Sequence, residues 1–343
     1  MSPVPGLRVA QLHLAADGPA WVELFGLAFL MIGLEAIGGR LGAGRTPLPR
    51  RRRWGRQNTT NDEVTRMASE ATLSALVGRL GFIGAGNMAT ALVGAVVGRR
   101  LLEPGHCAVY DVIDDKAQAL AGRWGVRACR APEEVLAVSS TVVLATKPQD
   151  LPAALASLRP RVRRDHLLVS IAAGVRTSRI EALLPPGSRL VRVMPNTPAM
   201  IGAGAAGVAA GSQATAADMR AVTALFEAVG IAAEVPETAL DAVTALSGSG
   251  PAYIFRFMEW VQAAGEALGL EAELARRFTL QTFVGASRLA AETGETAAEL
   301  RRRVTSPGGT TAAALEVFES REVGAVIAEA MRRARDRSIE LAS

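Results

Sequence analysis

The sequence predicts a doubly wound α/β domain followed by an all-helical domain. Three observations support this fold class. Short apolar runs alternate with helical segments from about residue 79 to residue 238, which is typical of a parallel sheet covered by helices. The first of these runs leads into a glycine-rich turn at Gly84. Beyond residue 239 the strand patterns stop, and long segments with helical apolar periodicity follow.

Composition sets the broad class of protein. The chain has 343 residues, of which 49% are hydrophobic and 21% charged, and this balance suits a globular protein with two full cores. The formal net charge is +5, and no basic stripe with interleaved aromatic residues marks a nucleic-acid surface. The two cysteines, Cys107 and Cys129, have neither metal-site nor disulfide spacing. We therefore expect a cytoplasmic protein without a metal ion.

Residues 1–77 do not share the pattern of the rest. Their uninterrupted apolar run, Leu24–Leu34, is too short for a bilayer span, which needs about 20 residues. Most basic residues of this region, including Arg50–Arg53, follow the run, whereas in a signal peptide they would precede it. We expect a disordered extension, or upstream sequence before a true start at Met67. A weak helix at a membrane surface is the alternative.

The α/β part is expected to contain eight strands and six helices. The strands are expected at Leu80–Ile83, Ala108–Tyr110, Val126–Cys129, Val142–Ala145, Leu167–Ile171, Leu190–Val193, Ala206–Ala209 and Ala232–Val235. The helices are expected at Met88–Gly98, Asp115–Arg123, Glu133–Val138, Leu151–Leu158, Ser178–Leu184 and Ala216–Val229.

The second part is expected to contain five long helices. They are expected at Ala252–Leu268, Ala272–Thr293, Ala297–Val304, Thr310–Glu319 and Val323–Leu341. The stretch Ala275–Ala291 is too apolar for a helix with only one buried face. This excess predicts burial against another subunit.

The turn after the first strand has the pattern of a dinucleotide site. Gly84 permits the tight turn, Gly86 lets the backbone approach a pyrophosphate, and Ala89 lets the helix pack closely on the strand. Because the motif follows a strand and begins a helix within a βαβ unit, its context supports a Rossmann-type domain. We assign cofactor contacts to Gly84, Gly86, Asn87, Met88 and Ala89. The alternative is a plain glycine turn.

The second strand ends at Asp111, where an acidic residue usually accepts hydrogen bonds from the adenosine ribose. A carboxylate there would repel a 2′-phosphate, and Lys116 is the only nearby cation in the sequence that follows. The cofactor is thus expected to be NADPH or NADH, with NADH favoured. The alternative is that Asp111 only caps the next helix.

Two further turns follow strands at the carboxyl edge of the sheet, where ligands bind in this fold class. Lys147, in Thr146-Lys147-Pro148-Gln149, either faces the cofactor or begins a helix. Asn196, between Pro195 and Pro198, offers an amide to the nicotinamide or to the substrate.

The segment Ser306–Thr311, with the sequence Ser-Pro-Gly-Gly-Thr-Thr, is interpreted as a helix start. The serine suits the N-cap and the proline the first helical position, which would place Gly308 and Gly309 in the first turn. Glycine is a poor helix former, so its bare N–H groups indicate an anion site, with the hydroxyls of Thr310 and Thr311 beside it. An ordinary capped helix is the alternative.

The distribution of acid and base groups limits the chemistry. Reduction or oxidation of a C–O bond needs a strong acid or base near the alcohol. No lysine follows Lys147 and no histidine follows His166, so a 3-hydroxyacid dehydrogenase, which has a similar layout, is disfavoured. An iminium is already protonated near neutrality, and a threonine can hydrogen-bond its nitrogen. Reduction of a C=N bond therefore fits best.

Five segments together resemble the pyrroline-5-carboxylate reductase family. They are Gly81–Ala89, Lys147–Gln149, Met194–Pro198, Asp241–Tyr253 and Val304–Leu315. The last two are the specific ones, and the likeness runs from about Arg79 to Ala334. The resemblance implies NAD(P)H-dependent reduction of 1-pyrroline-5-carboxylate to L-proline, the last step of proline synthesis. It also implies a homodimer with interlocked helical domains.

The resemblance implies roles for individual residues as well. The N–H groups and hydroxyls of the helix start Ser306–Thr311 would bind the substrate carboxylate, and Leu246–Tyr253 would line an active site built by two chains. Thr311 would hydrogen-bond the ring nitrogen as the catalytic residue. The residues implied in substrate binding are Ser306, Gly308, Gly309, Thr310 and Thr311.

The expected organisation has three parts. They are an extension at residues 1–77, a dinucleotide-binding domain at residues 78–238, and a helical substrate-binding and dimerisation domain at residues 239–343. Asp111 departs from the family's commoner small polar residue and argues against its frequent use of NADPH. Two alternatives stay open: reduction of a different imine, and a dinucleotide-binding sensor tethered through the extension. A higher oligomer of dimers also stays open, whereas nucleic-acid and membrane association are not expected.

Overall fold

The computed structural model describes residues 73–342. Within this range one eight-stranded sheet comes first, and only helices follow it. The predicted fold class is confirmed: a Rossmann-type domain precedes an all-helical one.

The expectations for residues 1–72 of the N-terminal extension, including the start at Met67 and the surface helix, fall outside the described residues. The last five residues of the expected extension, 73–77, are helical, and Leu73 and Val77 are buried in the core of the sheet part. The expected boundary at residue 77 is therefore wrong, because these residues pack with the folded part.

All eight expected strands form, and their ends differ from the expected ones by no more than two residues. They are β1 (Leu80–Ile83), β2 (Cys107–Tyr110), β3 (Arg127–Ala128), β4 (Thr141–Leu144), β5 (Leu167–Ser170), β6 (Arg189–Met194), β7 (Gly204–Ala210) and β8 (Gly230–Glu234).

Six α-helices accompany the strands. They are α1 (Asn87–Gly98), α2 (Asp114–Trp124), α3 (Pro132–Val138), α4 (Leu151–Leu158), α5 (Thr177–Glu181) and α6 (Ala216–Glu227). The helical part consists of α7 (Leu240–Val243), α8 (Gly250–Ala267), α9 (Ala272–Thr293), α10 (Ala297–Arg303), α11 (Thr310–Ser320) and α12 (Val323–Ala342).

The strand order is β3-β2-β1-β4-β5-β6-β7-β8. The strands β1 to β6 are parallel, whereas β7 runs antiparallel to β6 and β8 runs parallel to β7. The order reverses between β1 and β4, and ligands bind beyond the carboxyl ends of strands at such a switch point. The segments that follow β1, β2, β4 and β6 all lie at this edge, and they carry Gly84, Asp111, Lys147 and Asn196.

Both faces of the sheet are covered by helices, which explains why the strands read as continuous apolar runs. Successive strand residues point to opposite faces. Phe82 belongs to a core with residues of α1, α2 and α6, and the next residue, Ile83, belongs to a second core with residues of α3, α4 and α5. Both side chains are buried, and burying one of this size contributes roughly 1.5–3 kcal/mol.

The junction between the two parts differs from the expectation. The sequence predicts a helix start within Leu246–Tyr253, and Pro251 does lie in the first turn of α8. However, the preceding Thr244–Gly248 is also helical and has π-type hydrogen bonding. The N–H of Ser249 donates to the Thr244 carbonyl at 2.8 Å, one residue further back than in an α-helix. Such π segments are rare and often occur at functional sites.

The helical part has almost no core of its own. Helices α8, α10 and α11 contain no buried residue, and α12 contains one, Ser338. Large apolar side chains are exposed along the helices instead; they include Ile254, Phe255, Trp260, Phe278, Val317 and Phe318. Apolar surface of this extent marks an interface, in agreement with the prediction from Ala275–Ala291. None of the helices in the described range is long and apolar enough to cross a membrane.

Candidate active site

The loop between β1 and α1 has one glycine that the fold requires and one that faces open space. Gly84 has a φ of +107°, and a Cβ there would lie 2.6 Å from the carbonyl oxygen of Ala145. Only glycine fits such a position. A Cβ at Gly86, in contrast, would meet no atom within 4 Å. The space in front of Gly86 is therefore free for a ligand.

The N-terminus of α1 opens onto the same space. Gly86 is its N-cap, and no side chain caps the helix. The first hydrogen bond of the helix is the one that the N–H of Thr90 donates to the Gly86 carbonyl at 2.9 Å. The N–H groups of Asn87, Met88 and Ala89 thus precede the first helical hydrogen bond, and together with the helix dipole they suit an anion. This cradle fits the pyrophosphate of a dinucleotide.

Asp111 connects the end of β2 to the glycine loop. Its Oδ2 accepts a hydrogen bond from the N–H of Ala85 at 2.7 Å, and its Oδ1 accepts one from the N–H of Ile113 at 2.9 Å. The alternative that it only caps the next helix is wrong, because α2 begins at Asp114 with Ile113 as its N-cap and has no side-chain cap. Each carboxylate oxygen keeps a lone pair for a ribose hydroxyl.

A pocket of about 350 Å³ lies beside Asp111. Its lining residues are Tyr110, Asp111, Val112, Asp114, Gln118 and Arg130. Arg130 follows β3. Because Ala128 of β3 pairs with Val109 of the parallel strand β2, Arg130 lies opposite Asp111 in the same register. Its guanidinium has no hydrogen-bond or ion-pair partner among the residues described. The statement that Lys116 is the only nearby cation is therefore wrong, because Arg130 reaches this pocket from a neighbouring strand.

Thr146 and Lys147 follow β4 next to the glycine loop. Lys147 is exposed, and its carbonyl accepts a hydrogen bond from the N–H of Asp150 at 3.0 Å, just before α4. The hydroxyl oxygen of Thr146 is buried and has no partner in the described range. An unsatisfied buried hydroxyl costs about 1–3 kcal/mol, which a ligand atom at this edge would relieve. Contact of Lys147 with the cofactor stays a prediction.

Asn196 lies at the same edge, but both ends of its amide already have partners. Its Oδ1 accepts from the N–H of Ala205 in β7 at 2.9 Å. Its Nδ2 donates to the carbonyl of Ser247 in the π segment at 3.0 Å. A bond to the cofactor or substrate would have to use the second N–H or the second lone pair, so the predicted contact stays a prediction.

The late glycine-rich segment folds differently from the expectation. The Ser306 carbonyl accepts from the N–H of Gly309 at 3.0 Å, and Gly308 has a φ of +68°. Pro307 is the second residue of this four-residue segment, and together these are the features of a type II turn. Helix α11 starts at Thr310, as the helical pattern Thr310–Glu319 predicts, and its N-cap is Gly309. The prediction of a Ser306 N-cap is therefore wrong, because the left-handed Gly308 keeps the segment out of the helix.

The start of α11 nevertheless offers N–H groups for an anion. No side chain caps the helix, and the first N–H with a partner is that of Ala313, which donates to the Gly309 carbonyl at 3.2 Å. The N–H groups of Thr310, Thr311 and Ala312 precede it and have no acceptor in the described part. Thr311 is half-buried, and its hydroxyl likewise has no partner there. The arrangement suits a carboxylate held at a helix N-terminus.

This turn is not joined to the sheet of its own chain by any hydrogen bond or ion pair among residues 73–342. Helix α11 packs on α12. Helix α12 in turn bonds to α7, where the Ser338 hydroxyl donates to Asp241 Oδ1 at 2.8 Å. Asp241 Oδ2 lies 2.6 Å from Arg176 Nη2 of the sheet part. Within one chain, the anion site is therefore held by helices α11 and α12, whereas the glycine loop is held by the sheet.

The histidines of the described part lie away from this edge. His106 precedes β2 and His166 precedes β5, so both are at the amino edge of the sheet. Burial, reinforced by Arg163, lowers the pKa of His166, which is therefore neutral at pH 7. Among the described residues, no group of three or more His, Cys, Asp or Glu is placed to hold a metal ion.

Comparison with known proteins adds family relationships to this geometry. A family model described as pyrroline-5-carboxylate reductase dimerisation matches residues 237–341. A second model, described as NADP oxidoreductase coenzyme F420-dependent, matches residues 79–174. These two ranges correspond to the helical part and to the first half of the sheet.

Individual proteins match over most of their length. The pyrroline-5-carboxylate reductase of Pseudomonas aeruginosa is 42% identical over 265 residues, which are 77% of this chain and 97% of that protein. The enzyme of the same name from Methanosarcina acetivorans is 38% identical, with the same coverage.

Solved structures match as well. That of a pyrroline-5-carboxylate reductase from Coxiella burnetii superposes with a TM-score of 0.74 at 36% identity, covering 77% of this chain and 98% of that one. The pyrroline carboxylate reductase of Plasmodium falciparum, solved with NADP bound, gives a TM-score of 0.69 at 28% identity with the same coverage.

Proposed function

We propose a residue-level account of catalysis for this chain, which belongs to the pyrroline-5-carboxylate reductase family. The chain is an NAD(P)H-dependent oxidoreductase that acts on a C=N bond, reducing 1-pyrroline-5-carboxylate to L-proline. It forms a homo-oligomer through its helical dimerisation part. The proposal concerns which residues hold the two reactants and how they bring them together.

The cofactor is proposed to bind across the carboxyl edge of the sheet, where its dihydronicotinamide supplies a hydride. Gly84 and Gly86 keep the loop open, and the N–H groups of Asn87, Met88 and Ala89 hold the pyrophosphate. The free space before Gly86 and the absence of a side-chain cap on α1 support this assignment. At the same edge, Asp111 would accept from the adenosine ribose and Lys147 would face the cofactor, whereas both ends of the Asn196 amide are bonded within the chain.

The substrate carboxylate is proposed to bind at the start of α11. The uncapped N–H groups of Thr310, Thr311 and Ala312 carry this proposal, because they form an anion site on a chain whose substrate is an anion. The turn presents this site, with Gly308 in its left-handed conformation, while the hydroxyls of Ser306 and Thr310 add donors. Gly309, the N-cap, leaves no side chain over the opening.

Thr311 is proposed to hydrogen-bond the ring nitrogen. The C=N nitrogen is protonated near neutrality, so hydride addition at the imine carbon, which becomes C5 of proline, places the electron pair of the C=N bond on that nitrogen without requiring a protein acid. The Thr311 hydroxyl fixes the ring and stabilises the changing charge at nitrogen. Orientation and electrostatic fit then provide the rate enhancement, in keeping with a helical part whose sequence, residues 239–343, contains no histidine or lysine.

The complete active site is proposed to contain parts of two protomers. The anion site of α11 has no hydrogen bond to its own sheet, and the helical part exposes apolar side chains on most of its helices. Two copies that interlock through these helices would each bring their α11 to the glycine loop of the other. Assembly of such dimers into a higher oligomer stays a proposal, as does a location in the cytoplasm.

The proposed domain boundaries follow the same division. Residues 73–238 would form the dinucleotide-binding domain and residues 239–343 the substrate-binding and dimerisation domain. The π segment Thr244–Gly248 lies just after this boundary and supports it.

The cofactor pocket is proposed to accept NADPH as well as NADH. Asp111 disfavours a 2′-phosphate by charge, but its oxygens already accept from two backbone N–H groups, which offset part of that charge. Arg130 lines the same pocket and is not engaged elsewhere in the described part. The sequence alone favours NADH; Arg130 reduces that preference.

Substitutions at these two positions should shift cofactor preference in opposite directions. Asp111→Ser removes the repelling charge but keeps an acceptor for the Ala85 N–H, so we expect the NADPH/NADH ratio of kcat/KM to rise about tenfold. Arg130→Ala removes the cation, and the ratio should fall about tenfold, the effect of roughly 1.4 kcal/mol. Steady-state kinetics with both cofactors measure the ratio; two unchanged ratios would remove both assignments.

The reaction itself is tested by product analysis. The purified chain is incubated with NADH or NADPH and racemic 1-pyrroline-5-carboxylate, and the product is identified by chiral chromatography. We expect L-proline in equal amount to the cofactor oxidised, from one enantiomer only. Faster turnover of the six-membered cyclic imine would instead favour the alternative substrate, and cofactor binding without any turnover would favour the sensor.

A further inference from the structure

The amide of Asn196 joins three separate segments of the chain. Asn196 is the N-cap of the short 3₁₀ helix Thr197–Ile201, yet its side chain does not cap that helix. Its Oδ1 accepts from the N–H of Ala205 at 2.9 Å and its Nδ2 donates to the Ser247 carbonyl at 3.0 Å. Asparagine at an N-cap usually accepts from the following turn. Here the amide is used for tertiary contacts instead.

The Ser247 carbonyl needs this outside donor because of Pro251. In an α-helix the carbonyl of residue 247 would accept from the N–H of residue 251, and proline has none. No other hydrogen bond to this carbonyl exists in the described part. Without Asn196, a half-buried carbonyl at the start of the helical part would lack a protein donor. Asn196 and Pro251 therefore form a matched pair across the two parts of the chain.

The bond fixes the place where the helical part leaves the sheet. The π segment ends at Gly248, where an added Cβ would lie 2.5 Å from the Met194 methyl group, so this segment packs directly on the end of β6. Helix α8 starts at Gly250, immediately after the bonded carbonyl. The Asn196–Ser247 bond therefore links the segment after β6 to the chain directly before α8.

We propose that Asn196 is a positioning residue that sets the orientation of the helical part against the cofactor edge. This inference rests on the proposed function, because the orientation matters for hydride transfer between a cofactor on the sheet and a substrate held by helices. Reacting groups must lie within a few tenths of an ångström of their productive positions, and a misplacement of about 1 Å costs roughly 100-fold in rate.

The test uses Asn196→Asp, which keeps the acceptor for the Ala205 N–H and removes the donor to Ser247. We expect kcat to fall about 10- to 100-fold, while the dissociation constant of NADPH changes less than about twofold. A cofactor-binding residue would instead weaken NADPH binding. A merely structural residue would lower the melting temperature and leave kcat unchanged. Either result would overturn the proposal.

A second variant pair isolates the carbonyl. Asn196→Ala leaves Ser247 without a donor, and adding Pro251→Ala supplies an N–H at the position that an α-helix would use. We expect the double variant to recover part of the kcat lost in Asn196→Ala. Thr244→Val is the matched control, since it removes a side-chain bond to the Leu240 carbonyl in the same segment without crossing to the sheet. No recovery, or an equal loss in the control, would contradict the pairing.

Hydrogen–deuterium exchange gives a readout that does not depend on turnover. In Asn196→Asp, amides of residues 244–253 should exchange faster than in the wild type, while the Ala205 amide stays protected. Unchanged exchange in this segment would overturn the positioning role. Wild-type turnover is measured in parallel, so that failure of the proposed function is seen separately from failure of the Asn196 contact.

Discussion

Replacing Gly86 with valine is expected to abolish cofactor binding and leave the fold intact. A Cβ at this position meets no protein atom within 4 Å, and its backbone angles as the N-cap, φ −75° and ψ −173°, suit any residue. The new side chain would occupy only the space assigned to the pyrophosphate. We expect the dissociation constant of NADPH to rise at least about 100-fold, equivalent to roughly 2.8 kcal/mol.

The measurement is a calorimetric titration of NADPH together with a thermal unfolding curve. Gly105→Val is the matched control, because a Cβ there also meets nothing within 4 Å and the residue lies before β2, at the amino edge. The control should bind NADPH normally. Normal NADPH binding by Gly86→Val would contradict the role of the glycine loop in holding the pyrophosphate. A large fall in the melting temperature of this variant would contradict it as well, because the fold is expected to stay intact.

Thr311→Ala is expected to lower kcat about 10- to 100-fold. The change removes one hydrogen bond to a charged nitrogen, which contributes roughly 1.5–3 kcal/mol. The fold should not suffer, since the Thr311 hydroxyl has no partner in the described part of the chain. The N–H groups at the start of α11 remain, so the substrate KM should rise much less than kcat falls.

Thr311→Ser provides the control, because it keeps the hydroxyl and removes only a methyl group. It should retain most of the wild-type kcat. Thr310→Ala should have the opposite pattern to Thr311→Ala, with a higher substrate KM and a nearly unchanged kcat, because Thr310 is assigned to the carboxylate. Unchanged kinetics in Thr311→Ala would remove its assigned role at the ring nitrogen.

The sheet could be predicted from sequence because its signals are local. Strands buried on both faces are apolar throughout, as in Leu80–Ile83, and Gly84 is required by a positive φ in its own loop. The exposed apolar residues of the helices also follow from the pattern of the chain. These features depend on residues close together in sequence, so a single sequence contains them.

The expected helix Thr310–Glu319 does start at Thr310. The conformation of the preceding Ser306–Gly309 could not be predicted, because Ser-Pro-Gly-Gly fits two local structures equally well. Pro307 suits both the first position of a helix and the second position of a type II turn. The positive φ of Gly308 shows that the segment forms the type II turn. The prediction therefore assigned the right segment but the wrong geometry, and the free N–H groups lie at Thr310–Ala312.

The π segment and the cofactor pocket depend on contacts distant in sequence. The donor for the Ser247 carbonyl comes from Asn196, 51 residues earlier, and no local pattern indicates it. Arg130 reaches the Asp111 pocket only because β3 pairs with β2. One feature of this contact can be read from the sequence: Pro251 has no N–H, so the Ser247 carbonyl lacks the donor that an α-helix would give it.

One active site is proposed to join the sheet of one protomer to the helices of its partner. Gly86→Val and Thr311→Ala affect opposite halves of that site. The two variants are co-expressed with different affinity tags, and mixed dimers are purified through both tags. Each mixed dimer then contains one site with both halves intact, if the halves come from different chains.

Reduction of 1-pyrroline-5-carboxylate by these mixed dimers is the decisive measurement. We predict about half of the wild-type kcat per dimer, well above either parent, because one of the two shared sites is whole. If the mixed dimers are no more active than Thr311→Ala, each site is built from a single chain, and the proposed shared site is wrong.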